Sequence, residues 1–269
     1  MRRTKRTFAL VAFTLVSCSS RIVPAATPTF QTTTLRLHAT TATAPLMNDL
    51  AAAYSQLYPY TFDIVIGNYE AMVDGLNRGE IRYFLSNHLP ADSPLLGWPI
   101  GQDGIAIIVH PDNRLAGLTT EELRSIYQGF VPNWREFGGQ DMEIVVISRE
   151  DGSGTRAEFE RLVMGNRPTT LAAQIAPSSE AVMTSVAAQV GGIGYVSMGY
   201  LDSSVRALAV EGVLPTMETV YDNTYPLRST LYFVGLEEPQ DDYRLFIGWV
   251  QSPAGQAVVA RQYAPLLLP

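Results

Sequence analysis

The chain reads IVVISREDGSGTRAEF over residues 144–159. The apolar, β-branched run over 144–147 predicts a strand, and the periodic apolar positions that follow predict a helix over 155–164. Thr155 and Glu158 have the spacing of a capping box. A strand that passes through a Gly/Ser loop into a helix predicts one βα unit of an α/β fold.

The loop of this βα unit contains groups that bind anions. The start of a helix presents unpaired N–H groups and the positive end of the helix dipole. Ser153 and Thr155 add hydroxyls, and Gly154 lets the backbone approach a ligand closely. Arg149 adds a guanidinium, which pairs well with oxyanions. Taken alone, the same pattern is also typical of ordinary turn and capping chemistry.

A second helix start strengthens the case for an anion site. Residues 39–45 read ATTATAP, so Thr40 and Thr41 also lie between a predicted strand and a predicted helix that begins with proline. Because ligands of α/β sheets bind beyond the carboxyl ends of the strands, we expect the two hydroxyl-rich segments to face one crevice. Together they predict a dry, hydrogen-bonded oxyanion site.

Strand and helix patterns alternate along the rest of the chain, and the length of 269 residues predicts two lobes. Gly191 and Gly192 are expected to end one helix, and Ser252 is expected to cap another. Strands are predicted over 35–38, 62–66, 83–85, 105–109, 144–147, 193–196 and 231–234. Helices are predicted over 45–58, 69–77, 120–127, 155–164, 179–190, 243–250 and 253–263.

Composition excludes several classes of protein. The chain is 46% hydrophobic and 17% charged, as globular proteins are. Its formal net charge of −7 becomes −11 without the four basic residues of the first 18, so it lacks the basic surface of a general nucleic-acid-binding protein. One cysteine, Cys18, allows no intrachain disulfide or cysteine-built zinc site, and three scattered histidines form no metal motif. We expect no metal, no cofactor and no nucleic acid.

The N-terminus predicts export. A basic segment over 1–6 precedes an apolar segment over 8–16, as in a signal peptide. The LVSC sequence over 15–18 is similar to the lipobox of bacterial lipoproteins, whose cysteine is lipidated. We therefore expect a lipoprotein signal peptide over 1–18, lipidation of Cys18 and a tether over 19–33. Alternatively, the signal peptide is cut later, for example after Ala26, and a soluble protein is released.

Patterns that indicate enzymes fit less well. Ser153 lacks the glycine two positions earlier that a nucleophile elbow requires. The chain has no Walker A sequence, and GIGYVS over 192–197 fits a helix end and turn better than a dinucleotide fingerprint. His88 and His110 are possible bases, although loop and strand-end histidines are usually structural. We expect a protein that is not an enzyme, with a hydrolase using Ser153 as the alternative.

Six stretches of the chain carry a family resemblance, namely 39–46, 104–109, 118–134, 149–155, 192–196 and 249–256. In order and spacing they are similar to the phosphate-binding proteins of bacterial ABC importers, which are two-lobed substrate-binding proteins of the periplasmic-binding class. The resemblance covers residues 34–265. It implies a periplasmic-binding-protein-like (type II) fold in which each lobe is a mixed sheet flanked by helices, with the ligand cleft between the lobes. Lobe one would comprise 34–108 plus 228–269, and lobe two would comprise 109–227.

The resemblance also implies a set of ligand-binding residues. Arg149 would pair with the oxyanion, and hydroxyls and backbone N–H groups from both lobes would surround it. Asn87 stands where many family members have an acid that accepts the proton of hydrogen phosphate, and it can accept only through its carbonyl oxygen. Asn68 or Tyr69 is a further possible donor. The predicted ligand-binding residues are Thr40, Thr41, Ser86, Asn87, Arg149, Ser153, Gly154 and Thr155.

The function implied is that of an extracytoplasmic solute-binding protein. It would capture inorganic phosphate between its lobes and deliver it to an ABC permease. The protein would be a monomer, lipid-anchored on the outer side of the cytoplasmic membrane or in the periplasm. The alternative is a binding or sensor protein for another oxyanion or a small organic anion.

Overall fold

The structure, a computed structural model, describes residues 32–267. The predicted signal peptide, Cys18 and all but the last two residues of the tether lie outside the described residues. None of the helices in this part of the chain is long and apolar enough to cross a membrane. The strands are β1 (Thr33–Thr40), β2 (Tyr60–Gly67), β3 (Tyr83–Ser86), β4 (Leu96–Val109), β5 (Gly117–Leu118), β6 (Val145–Arg149), β7 (Gln174–Ala176), β8 (Gly192–Ser197), β9 (Arg206–Ala207), β10 (Ala209–Val210), β11 (Arg228–Gly235) and β12 (Ala264–Pro265). The helices are α1 (Ala44–Leu57), α2 (Tyr69–Asn77), α3 (Thr120–Tyr127), α4 (Gly154–Phe159), α5 (Ser179–Ala187), α6 (Met217–Tyr221), α7 (Asp241–Gln251) and α8 (Pro253–Val259).

One mixed sheet connects most of these strands, in the order β2-β1-β3-β11-β4-β8-β6-β7. Strands joined by helical crossovers pair in parallel, as β1 does with β2 and β3, and as β6 does with β7 and β8. The two long central strands, β4 and β11, pair with their neighbours antiparallel. The predicted alternation of strands and helices and the α/β fold class are confirmed.

Strand β4 runs through both parts of the sheet. Its residues up to Gly104 pair with β11, whereas Ile105–Val109 pair with β8. We call β1, β2, β3, β11 and the start of β4 the first half of the sheet, and β6, β7, β8 and the end of β4 the second half. The change of partners lies four residues from the predicted lobe boundary at 108, and the lobe bounds stay a prediction.

The length of β4 differs from the prediction. The apolar run predicts a strand over 105–109, but β4 extends over 14 residues. Gly97, Pro99 and Gly101 weaken the strand pattern in its first part, which is extended because β11 and β12 pair with it. Gly101 is needed there, since a Cβ at this position would lie 2.8 Å from the backbone oxygen of Ala264 in β12.

Aromatic rings fill the core of both halves. In the first half, the ring of Tyr54 on α1 packs edge-on against Phe246 and Trp249 of α7, with centroids 5.2 and 5.1 Å away. In the second half, Phe159 of α4 stacks on Tyr195 of β8 at 4.1 Å. Each fully buried ring of this size contributes roughly 1.5 to 3 kcal/mol. The Phe159–Tyr195 contact fixes α4 against the sheet, directly beside the predicted site.

The start of α4 corrects one prediction. The residue that caps the helix is Ser153, whose Oγ accepts from the backbone N of Arg156, and the predicted capping box of Thr155 and Glu158 is wrong. The carboxylate of Glu158 instead accepts from Arg161 and lies 2.7 Å from His88. Ser153 already has the extended backbone of a capping residue, so the helix begins at Gly154 and Thr155 is its second residue.

Three helix ends differ from the predictions by three residues or more. Helix α4 widens into a π-helical turn over Glu160–Met164. Helix α5 ends at Ala187 rather than 190, because Gly191 must pass close to the 143–145 segment: a Cβ there would lie 2.1 Å from the Glu143 oxygen. Helix α8 ends at Val259 rather than 263, and the hydroxyl of Ser252 donates to Trp249 O instead of capping α8.

Candidate anion-binding site

The structure brings the predicted residues of the two halves together. Thr40 and Ser86 end β1 and β3 in the first half, and Arg149 ends β6 in the second half. Two hydrogen bonds connect the groups: Arg149 Nη2 donates to Thr41 Oγ1 at 2.9 Å, and Asn87 Nδ2 lies 3.4 Å from Thr155 Oγ1. The site therefore lies at the carboxyl ends of the strands, where the two halves meet.

Arg149 is the central cation of the site. Its side chain is only 1% exposed. The Glu150 carboxylate accepts from Nε and Nη2 at 2.8 and 2.9 Å, and Ser179 Oγ at the start of α5 accepts from Nη1 at 3.1 Å. A buried guanidinium needs such partners, because an unpaired charge in the interior is very costly. These bonds hold the plane of Arg149 against Thr41.

The three threonines at the end of β1 and in the turn after it have different roles. The hydroxyl of Thr43 donates to Leu85 O at 2.9 Å, so Thr40 must donate in its 3.1 Å contact with Thr43. Thr40 therefore uses its proton to fix the turn. Thr41 Oγ1 accepts from Arg149, so the proton of the Thr41 hydroxyl is free to donate to another group. Of the two predicted donors, Thr41 is the better placed to bind an anion.

Ser86 ends β3, Asn87 follows it, and both are buried. Ser86 Oγ donates to His88 O at 2.9 Å and accepts from His88 N at 3.0 Å, which closes a tight turn around Asn87. Ser86 thus shapes the loop rather than offering a free proton. The carboxamide oxygen of Asn87 is buried and has no hydrogen-bond partner among residues 32–267.

The start of α4 supplies the donors predicted from the other half. The backbone N–H groups of Gly154 and Thr155 have no acceptor within the helix, as is usual for the first residues of a helix. Ser153 Oγ accepts from Arg156 N at 3.3 Å, so its proton can point toward a ligand. Gly154 packs against the opposite loop: a Cβ on it would lie 3.0 Å from the Cβ of His88 and 3.5 Å from Asn87 Oδ1.

Asp103 is a buried residue of the site that the sequence analysis missed. It lies on β4, and its Oδ1 accepts from Ser197 Oγ at 3.0 Å and from Met198 N at 3.2 Å. Its Oδ2 lies 3.4 Å from Asn87 Nδ2. Burial raises the pKa of Asp103 to about 7, although these donors act in the opposite direction. In the sequence, the one indication of a role for Asp103 is its position as a single acid just before the continuous apolar strand over 105–109.

Further polar residues lie at the rim of the site, and two of their hydrogen bonds connect the halves. Tyr69 of α2 packs edge-on against the His88 ring, and burial raises its pKa to about 12. Asn68 accepts from Ala71 N and so caps α2. The backbone N of Glu70 donates to Gly152 O at 3.1 Å, and the hydroxyl of Tyr200 donates to Thr41 O. Asn68 and Tyr69, the further possible donors, thus lie along the rim.

His88 and His110, the two possible bases, have structural partners in this fold. His88 Nδ1 lies 2.7 Å from Glu158 Oε1, and His110 Nδ1 accepts from the backbone N of Asp112. Ser153 has the position of a helix cap. Across residues 32–267, no three His, Cys, Asp or Glu side chains cluster as metal ligands would. The arrangement is suited to binding an anion by hydrogen bonds.

Comparison with known proteins agrees with this geometry. A family model described as a PBP superfamily domain matches residues 24–254. The phosphate-binding protein PstS of Bacillus subtilis is 36% identical over 126 residues, 46% of this chain, and that of Borreliella burgdorferi is 28% identical over 172 residues, 60% of this chain. The matches span 41% and 62% of the lengths of these two relatives.

A solved structure matches over a greater length. It is described as a phosphate ABC transporter substrate-binding protein with bound phosphate from Clostridium perfringens, and its TM-score is 0.81 at 31% sequence identity. The match covers 87% of this chain and 100% of that one. The chain belongs to the PBP superfamily and, within it, to the family of the substrate-binding proteins of phosphate ABC transporters.

Proposed function

We propose that this protein captures inorganic phosphate between the two halves of its sheet and delivers it to an ABC permease, without chemical conversion of the ligand. The observation that carries the proposal is the buried Arg149, which reaches from the second half to Thr41 of the first. The start of α4, with its hydroxyls and backbone N–H groups, follows Arg149 after one short loop. The choice of phosphate as the anion is supported by the relatives, one of which is named a phosphate-binding protein and another of which is described with bound phosphate.

The chemistry of the site suits a small, strongly hydrated anion. Phosphate must exchange its water shell for fixed donors, and a buried site with several N–H and O–H groups supplies them. The overall net charge of −7 repels anions, so affinity must come from the local donors. The Glu150 carboxylate compensates the charge of Arg149, so charge alone attracts an anion only weakly. Discrimination between anions then depends on hydrogen-bond geometry.

Delivery to a permease requires that the ligand can be released. Several contacts at the site join residues on different halves, as the Arg149–Thr41 and Glu70–Gly152 bonds do. Rotation of the halves about β4 would break these contacts and open the site. An anion that bridges both halves would stabilise the closed arrangement by its differential affinity.

The location follows from the N-terminal sequence. We propose that the protein is exported, lipidated on Cys18 and held as a monomer on the outer side of the cytoplasmic membrane or in the periplasm. A diacylated and N-acylated cysteine provides a stable anchor, whereas a single chain does not. The predicted lobe bounds, 34–108 plus 228–269 and 109–227, are part of the same proposal.

Asn87 supports a second candidate function. An amide in place of an acid repels a fully ionised anion less strongly, so the site also suits another oxyanion or a small organic anion. The protein would then be a binding or sensor subunit with the same fold. Competition of bound phosphate by sulfate and by small carboxylates separates the two candidates.

Titration calorimetry of the anion-stripped protein tests the proposal. We expect wild type to bind phosphate and Arg149→Ala to lose roughly 10- to 100-fold in affinity, since a charge-assisted hydrogen bond contributes about 1.5 to 3 kcal/mol. Arg78→Ala is the matched control, because Arg78 is exposed and pairs with Glu80 outside the site. Equal affinity of wild type and Arg149→Ala for phosphate would refute the assignment of the site.

A further inference from the structure

The carboxamide of Asn87 has one end bound and one end free. Its Nδ2 lies 3.4 Å from both Asp103 Oδ2 and Thr155 Oγ1. Its Oδ1 is buried without a partner among the described residues. Buried acceptors are almost always hydrogen-bonded in folded proteins, so an unpaired one that borders a binding site indicates that a ligand supplies the donor.

Asp103 decides which end of this amide is free. An ionised carboxylate can only accept hydrogen bonds, so its Oδ2 must face the NH₂ end of Asn87. Its Oδ1 is held by Ser197 and Met198, which prevents the carboxylate from rotating away. The reverse orientation of the amide would place two acceptor oxygens against each other. The carbonyl oxygen of Asn87 therefore points away from Asp103.

The free oxygen points to the start of α4. A Cβ on Gly154 would lie 3.5 Å from Asn87 Oδ1, in ordinary contact, so this oxygen lies directly beside the first residue of α4. Thr155 Oγ1 accepts from Asn87 Nδ2, which leaves its own proton free to donate. The site thus presents one buried acceptor, Asn87 Oδ1, within a set of donors.

We propose that Asp103 is a positioning residue, which fixes the amide of Asn87 so that its carbonyl oxygen accepts a hydrogen bond from the O–H group of a protonated tetrahedral anion. Asp103 does not touch the ligand. It makes the site selective for anions that carry a proton, such as hydrogen phosphate, over sulfate, which has none. This inference rests on the proposed function and deepens it by naming the origin of selectivity.

Hydrogen phosphate and sulfate provide a matched pair of probes at pH 8. Both are tetrahedral dianions there, and only the phosphate has a proton to donate. At this pH most of Asp103 is ionised, because burial raises its pKa only to about 7. A fully ionised anion would place an oxygen against Asn87 Oδ1 and leave that acceptor unpaired, which lowers its affinity.

Calorimetry with both anions at pH 8 tests the proposal. We expect Asp103→Asn to lower the ratio of phosphate to sulfate affinity roughly tenfold, because its amide can either donate or accept and no longer fixes Asn87. Ser197→Ala is the matched control: it removes one of the two bonds to Asp103 Oδ1, but Met198 N still holds that oxygen and Oδ2 still faces Asn87, so the ratio should stay within about twofold. In an Asn87→Ala background, Asp103→Asn should not change the ratio further. A purely structural role would lower both affinities equally, and that result would overturn the proposal.

A second measurement does not depend on phosphate binding. The side-chain amide signals of Asn87 in a ¹⁵N NMR spectrum of the anion-free protein should shift in Asp103→Asn and stay nearly unchanged in Ser197→Ala. Identical Asn87 signals in wild type and Asp103→Asn would overturn the proposal. If wild type binds no phosphate, the proposed function fails, and the NMR comparison still decides whether Asp103 positions Asn87.

Discussion

At the scale of single residues, the site depends on how each polar group is paired. Arg149 is buried because Glu150, Ser179 and Thr41 accept from its guanidinium. Thr40 and Ser86 use their protons within the loops, while Thr41 accepts from Arg149 and its proton is free to donate. Pairing therefore separates residues that shape the loops from residues that are available to bind an anion.

The buried carboxyl of Asp103 should make the stability of the protein depend on pH. Its pKa is about 7 in the folded protein, against 3.8 as the ordinary value, because burial penalises the carboxylate. Between about pH 4 and pH 7 the folded state keeps a proton that the unfolded state releases. We therefore expect the free energy of unfolding to fall as pH rises through this window, by up to ~4 kcal/mol, and then to level off.

The variant Asp103→Asn isolates this effect. Chemical denaturation of wild type and variant between pH 4.5 and pH 8 measures the difference in their free energies of unfolding, in which the other titrating groups cancel. We expect the difference to shift in favour of the variant by about 2 to 4 kcal/mol as pH rises. A difference that stays constant over this range would contradict a raised pKa of Asp103.

At the scale of elements, two helical glycines illustrate how packing reverses the effect of one substitution. Gly248 lies on the exposed side of α7, and a Cβ there would contact nothing within 4 Å. Gly255 lies in α8 where α7 ends, and a Cβ there would lie 2.3 Å from Trp249 O. The same residue type is thus unnecessary in one helix and required in the next.

These environments predict opposite changes in stability. Gly248→Ala should raise the free energy of unfolding by about 0.5 to 1 kcal/mol, because alanine restricts the unfolded chain and favours the helix. Gly255→Ala should lower it by about 1 to 3 kcal/mol, since α8 must move away from α7. Thermal unfolding of both variants checks this pair, and destabilisation by Gly248→Ala would show that α7 is not helical there.

At the scale of the whole molecule, ligand binding should depend on bonds that join the two halves of the sheet. The carboxylate of Glu158 on α4 meets His88 from the loop after β3, with both side chains largely buried. Burial raises the pKa of Glu158, but the bonds from His88 and Arg161 outweigh this and hold it below its usual value. Such a contact stabilises the closed arrangement and therefore adds to affinity.

Glu158→Gln should weaken phosphate binding about three- to tenfold, because it removes the charge from a buried bond between the halves. Glu160→Gln is the matched control in the next helical turn, since Glu160 pairs with Arg156 within one half, and it should change affinity less than about twofold. Calorimetry measures both constants. Equal effects of the two substitutions would argue against a role of the His88–Glu158 bond in closure.

Some features of this protein were determined by its sequence alone. The alternation of β-branched runs and amphipathic segments predicts the α/β fold, and helices α2 and α3 have the predicted bounds. Arg149 and the Gly/Ser loop before α4 predict an anion site because these groups are neighbours along the chain. Local signals of this kind depend on residues a few positions apart, so they can be read without a structure.

Other features were decided only by the tertiary structure. The first part of β4 is a strand because β11 and β12 pair with it, although its own residues favour a strand weakly. Asp103 belongs to the site because β4 places it beside Asn87, 16 positions earlier, and Ser197, 94 positions later. The cap of α4 is Ser153 because Glu158 is bound to His88 instead. These outcomes depend on contacts between distant segments, which local sequence patterns do not contain.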